Sequence, residues 1–254
     1  MFTVEERDRV RHAILKMAHA DPRVVAGAMI GSLALGAGDS WSDLDLGFGL
    51  VDGSSPSDVL AQWTSRLERE FGAVHLFDLP SLSTIYRVFL FPGCLEVDVS
   101  MTPASEFGAH GPKFKVLFGR AVERPQTVRP PAEHLFGLGV HHAVRARFCV
   151  ARGRFWQAQY WIGEVRNLAL SLACRRRGLE VRQGRGYDEL PAEILATFEE
   201  TLVRSMNPGE LLRALGHVVG GLLREATEAA ELASKVEGHL SQLASPRFVG
   251  RLSD

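Results

Sequence analysis

Sixteen residues constrain this chain more than any others: Gly31 to Leu46, GSLALGAGDSWSDLDL. They follow an apolar run, Val24 to Ile30, that reads as a strand. Ten residues beyond Gly31-Ser32 come Asp43 and Asp45, separated by Leu44. In an extended segment, residues two apart face one way, so both carboxylates share a side, about 6–7 Å apart at strand rise. Leu44 and Leu46 then face a core. Two carboxylates on one side suit a divalent cation, because magnesium takes oxygen ligands and commonly combines one or two carboxylates with substrate phosphates. Glycine at position 31 lets a backbone approach a phosphate closely, and Ser32 adds a hydroxyl. A turn leading into a half-buried strand with one polar face accounts for Asp-x-Asp alone about as well.

Taken together at this spacing, Gly31-Ser32 and Asp43-x-Asp45 resemble the signature of the DNA polymerase β-like nucleotidyltransferase superfamily. The resemblance implies a third acid on a later strand. The segment Cys94 to Met101, CLEVDVSM, supplies one. Leu95, Val97 and Val99 alternate there with Glu96 and Asp98, and Asp98 stands where the resemblance wants its carboxylate. Pro92-Gly93 reads as a turn pairing 84–91 with 94–101 as a hairpin. That pairing puts Arg87 across from the acidic face, where it meets either a triphosphate or the carboxylates of Glu96 and Asp98.

The remaining pattern divides the chain in two. Residues 3–19 read as an amphipathic helix, 23–30 and 43–50 as strands, and 55–71 as a helix capped by Ser55 and stopped by Gly72. Further strands are expected at 73–78 and 113–122. The proline-rich run 124–131 reads as a linker. Helices follow at 133–152, 154–178, 189–205 and 208–236. The expected fold is an α/β nucleotidyltransferase domain with a mixed α+β sheet, residues 1–123, followed by an all-α helical bundle, residues 132–254.

Composition narrows the partners. With 29 Lys and Arg against 30 Asp and Glu, the net charge is −1. That argues against a chain built to grip nucleic acid. Cys94, Cys149 and Cys174 are odd in number and far apart, as expected of buried thiols in a reducing compartment. No apolar run reaches membrane-span length and the charged N-terminus is unlike a signal peptide, so a cytoplasmic monomer or homodimer is expected.

The resemblance implies more than these residues state. It implies two magnesium ions held by Asp43, Asp45 and Asp98, with ATP bound through its phosphates at Gly31 and Ser32. AMP would pass to a hydroxyl of a small molecule, and pyrophosphate would leave. A catalytic domain followed by a helical bundle resembles the branch that modifies aminoglycoside and lincosamide antibiotics. That branch implies a general base from the bundle, for which Glu164 fits best; a salt bridge from Glu164 to an arginine such as Arg166 or one on a neighbouring helix accounts for it slightly better. Asp98 is a second candidate base. In related bundles that cleave RNA a histidine occupies the place of Ser171. A protein-adenylylating antitoxin and a non-catalytic nucleotide-binding scaffold are the competing functions. His141-His142 lack partners at metal-ligand spacing. Arg175 to Arg177 read as a solvated helix end, and Trp156, Tyr160 and Trp161 as core between domains.

Overall fold

A computed structural model describes residues 1–125 and 129–243. Part of the expected linker, 126–128, and the end of the expected helical domain, 244–254, lie outside the described residues. The chain divides into two compact units, Met1–Val128 and Arg129–Asp254.

In the first unit, α1 (Val4–Ala20) opens on a reciprocal cap. The Glu6 amide donates to Thr3 Oγ1, and the Thr3 amide donates to the Glu6 carboxylate, which satisfies two otherwise orphaned donors. Then come β1 (Val24–Ile30), a single helical turn α2 (Gly31–Ala34), β2 (Leu44–Leu50) and α3 (Pro56–Phe71). Ser55 caps α3 from the side chain, proline occupies its first turn, and Gly72 ends it in the left-handed region at φ 65°. Strands β3 (Val74–Ser81), β4 (Thr84–Phe91), β5 (Leu95–Pro103) and β6 (Phe114–Phe118) complete the sheet. Strand β6 is shorter than the 113–122 expected. Gly119 turns the chain at φ 73°, so close to Val25 and Ala26 that a side chain has no room.

The strand order is β3-β4-β5-β2-β1-β6. Every neighbouring pair is antiparallel except β2 and β5, which run parallel at the centre. One sheet face is apolar. Leu44, Leu46, Phe48 and Leu50 of β2 and Val97, Val99 and Met101 of β5 are buried with Ile14 of α1 and Leu60, Trp63 and Leu67 of α3. The other face is built of small residues around a minor apolar cluster of Ala26, Ala28, Phe107 and Phe114. Gly47 and Gly49 of β2 lie under the Phe107 ring, where a Cβ would crowd Phe107, Ser100 or Ala26.

One ion pair ties three elements of this layer together. Arg23 donates from Nε and Nη2 to the two oxygens of Asp21, at 2.8 and 2.7 Å, and Trp63 Nε1 donates to Asp21 from α3 at 3.1 Å. These bonds, Arg23 first, hold the Asp21 carboxyl down at about 2. A depressed carboxyl stabilises the fold above its unfolded value of 3.8 and loses that contribution as pH falls toward 2. We expect Asp21→Asn to cost about 1–2 kcal/mol at pH 7, after allowance for solvent screening. The deficit should shrink between pH 4 and 2, as read by denaturant titration at several pH values. A pH-independent deficit would assign the loss to packing instead.

The second unit is helical: α4 (Ala132–Ala151), α5 (Phe155–Arg176), α6 (Ala192–Glu199), α7 (Pro208–Glu225) and α8 (Ala230–Leu243). Phe136, Ala143 and Ala146 of α4 share a core with Ile162, Val165 and Ala169 of α5 and Leu211, Leu215 and Val218 of α7. Two expected helices are shorter here. The 189–205 helix is only α6, because Arg213 donates to the carbonyls of Glu200 and Leu202, fixing a non-helical segment. The 208–236 helix breaks at a tight 3-10 turn, Ala226–Ala229, which contains no glycine or proline to announce it. Arg175 to Arg177 are not a solvated end. Arg175 pairs with Glu228, and Arg176 and Arg177 both pair with the buried Glu225, fastening the end of α5 to the end of α7. Trp156 and Tyr160 are not core either: they are 76% and 55% exposed.

Candidate functional site

The parallel pairing of β2 with β5 sets the site. In register, Leu44 meets Val97, Asp45 meets Asp98 and Leu46 meets Val99. Residues paired across a sheet point to one face, on strands about 4.8 Å apart. Asp45 and Asp98 therefore stand side by side on the face opposite the main apolar core. Asp43 precedes β2 and is exposed, whereas Asp45 and Asp98 are half-buried.

Asp98 carries the electrostatic signature of the site. Its Oδ1 is buried without a hydrogen-bond partner. Burial, then the charge of Glu96, then that of Asp43 push its carboxyl up to about 6. Desolvation and like charge both disfavour ionisation, so a cation placed there would relieve both. The donors are all oxygen, which suits a hard ion such as magnesium. Among the described residues, no three His, Cys, Asp or Glu side chains form a group able to hold a metal by themselves. Asp45 and Asp98 could supply two carboxylate ligands at most, and a metal there would need phosphate oxygens or other ligands to complete its shell.

Gly31 makes space beside them. It is left-handed at φ 74°, and a Cβ there would clash with Asp45 Oδ2. Its amide donates to the Lys113 carbonyl at 3.1 Å. Ser32 lies in the following turn, α2, and its hydroxyl donates to Ser42 Oγ at 3.2 Å. Ser42 in turn donates to Asp39 Oδ1 at 2.9 Å and accepts from the Asp39 amide at 3.0 Å. The Gly-Ser turn and the loop before Asp43 are thus knitted together.

Sequence reasoning missed the residue that anchors this loop. Arg7, buried in α1, donates from Nη1 to the carbonyls of Asp39 and Ser42 at 2.7 and 2.8 Å. An arginine in an amphipathic helix looks like surface; only its place among the buried positions of α1, with Val10 and Ile14, hints otherwise.

Arg87 is the main correction within the sheet. It pairs in register with Val99, not with Asp98, so it lies on the core face. There its Nε and Nη2 donate to Asp78 at 2.7 and 2.6 Å, and its Nη1 donates to Thr64 Oγ1 at 2.9 Å. It meets neither Glu96 nor Asp98. Glu96 does share the Asp98 face, at an exposed position.

In the helical unit, Glu164 is half-buried on α5 and accepts from Asn167 Nδ2 at 3.3 Å. Its expected partner Arg166 donates instead to the Thr201 carbonyl, at 3.4 Å. Ser171 bonds the Tyr187 hydroxyl, which also donates to the Asn167 carbonyl. The His141 and His142 rings are tilted at 54° with centroids 5.6 Å apart, and among the described residues they belong to no group of three His, Cys, Asp or Glu able to hold a metal.

No family model matches the chain, and no curated protein matches it significantly. Its layout is a mixed six-stranded sheet with helices followed by a helical region. Among solved structures, the chain is similar to the crystal structure of an aminoglycoside 6-adenyltransferase from Bacillus subtilis. The two are 14% identical, the match covers 96% of this chain and 99% of that one, and the TM-score is 0.40. No helix among the described residues is long and apolar enough to cross a membrane.

Proposed function

We propose that this chain is a magnesium-dependent nucleotidyltransferase that moves AMP from ATP to a hydroxyl of a small molecule, of the aminoglycoside or lincosamide kind. The observation that carries the reading is the in-register pair Asp45 and Asp98 beside Gly31. Its support from the sequence is the Gly-Ser and Asp-x-Asp spacing, with Asp98 found where that spacing asks for a third acid.

Asp43, Asp45 and Asp98 would hold two magnesium ions together with the triphosphate. Bound magnesium supplies neutralisation of the charge that builds on the phosphate oxygens. The chain's own residues do the rest. Gly31 keeps the space beside Asp45 open, and the Gly31-Ser32 turn takes the β- and γ-phosphates. Arg7 fixes the approach of the 39–43 loop. The acceptor oxygen bonds to the α-phosphorus while the bond from that phosphorus to the bridging oxygen breaks, and pyrophosphate leaves. The residue that the sequence resemblance implies as the acceptor's base is Glu164. Asp98 is less suited to take the proton, because a ligated carboxylate is a weaker base.

The direct test is α-labelled ATP with magnesium against a panel of aminoglycosides, lincosamides and candidate proteins. Label is expected on a small molecule, and label on a protein alone would make the chain a protein modifier. Glu164→Gln then tests the base. Turnover should fall about 10²–10⁴-fold, the usual contribution of general-base catalysis, with ATP affinity and melting temperature little changed. Unaltered turnover would move the proton to Asp98, Glu96 or water.

A further inference from the structure

The helical unit contains a cluster of cations that its own fold does not neutralise. A cavity of about 370 Å³ opens where α4 turns into α5, lined among others by Arg145, Arg152, Arg154, Phe148 and Trp161. Arg145 lies over the Trp161 ring, 5.3 Å from its centre, and donates from Nε to His141 Nε2 at 2.8 Å. Among the described residues, none of the three arginines has a carboxylate within ion-pair distance. All three side chains are exposed to solvent.

The local helix end makes the imbalance worse. Arg154 is the N-cap of α5, a helix of 22 residues; it makes no side-chain cap, and the first turn holds no acid. A helix N-terminus carries partial positive charge and favours Asp, Ser or an anion there. Arg152 caps the carbonyl end of α4 with its backbone N–H, not with its guanidinium. Arg145 is already engaged by His141 and Trp161, whereas Arg154 has no side-chain partner among the described residues. The Trp161 Nε1–H is also buried without an acceptor, as is His142 Nδ1.

We propose that this cavity is a ligand site in its own right, for a small aromatic molecule that carries a phosphate group. Three guanidinium forks match the several oxygens and double charge of a phosphate better than the single charge of a carboxylate. The exposed Phe148 face accepts a planar ring, and the volume falls within the range of small-molecule pockets. The argument uses residues of the helical unit alone and does not depend on the transferase reading.

Calorimetric titration of the full chain with AMP in EDTA tests it, because magnesium-dependent binding at the carboxylates is then absent. Inorganic phosphate, adenosine and benzoate serve as separate arms. AMP is expected to bind, weakening with salt, and to lose about tenfold or more in affinity in the Arg152→Gln, Arg154→Gln double variant, which gives up two charge-assisted contacts. Absent AMP binding, or unchanged affinity in the double variant, overturns the site. Adenosine or benzoate binding as tightly as AMP overturns the phosphate, and phosphate binding as tightly overturns the ring. Arg154→Asp adds a readout without ligand. It should raise the melting temperature by about 2–4 °C, by capping α5, while AMP binding falls. A lower melting temperature would overturn the electrostatic reasoning.

Discussion

Asp45→Asn and Asp98→Asn are each expected to abolish nucleotide transfer, by about 10²–10³-fold or more, the scale of removing one preorganised electrostatic group. Asp43→Asn should follow them. The fold should survive, because all three lie off the apolar face. Asp98→Asn should even stabilise the chain in the absence of magnesium. Its folded carboxyl is raised to about 6 against 3.8 unfolded, so the ionised form costs stability above pH 6. That cost fades as pH falls through 6 and is gone below 3.8. At pH 7 the gain should be about 1–2 kcal/mol after allowance for solvent screening, read as a higher melting temperature that converges with the wild type near pH 4. Near-native turnover in Asp45→Asn or Asp98→Asn would end the metal-dependent reading. An unchanged melting temperature in Asp98→Asn would end the electrostatic account of that residue.

Gly31→Val should have the next largest effect, through two separable causes. A valine at φ 74° is strained wherever it sits, at about 1–3 kcal/mol. Its Cβ would also clash with Asp45 Oδ2, displacing the carboxylate that the site depends on. Loss of stability and loss of magnesium-dependent ATP binding are both expected. A control at Gly53, equally left-handed at φ 89° but with nothing within 4 Å of a Cβ, separates them. Gly53→Val should carry the strain and keep the binding. If Gly31→Val retains ATP affinity by calorimetry, the turn does not border the nucleotide.

Much of this was legible because the sheet writes its faces at a period of two. Asp45 and Asp98 could be placed on polar faces from alternation with leucine and valine alone. That β2 and β5 are neighbours, parallel and in register was not written anywhere local, since pairing is a property of the assembled sheet. Arg87 shows how little it takes to go wrong. A hairpin joining 91 to 94 puts Arg87 beside Asp98, whereas the observed pairing of Phe91 with Leu95 puts it beside Val99. One residue, absorbed in the turn where Cys94 is left-handed at φ 63°, moved the guanidinium through the sheet. Arg7 and the Arg145–Arg154 cluster were invisible for a related reason. A long cation reads as surface until its neighbours are known.

The parallel seam between β2 and β5 also bears on how the chain is made. Asp45 and Asp98 are neighbours in space but are separated by a helix and two strands, α3, β3 and β4. Strand β1 is complete before β2 and pairs with it on one side. The other side of β2 has no partner until β5 has been synthesised through Pro103. Contacts between distant segments pay their loop-closure entropy before they return anything. During synthesis, then, the two carboxylates meet late, and an emerging chain is a sheet edge well before it holds a site.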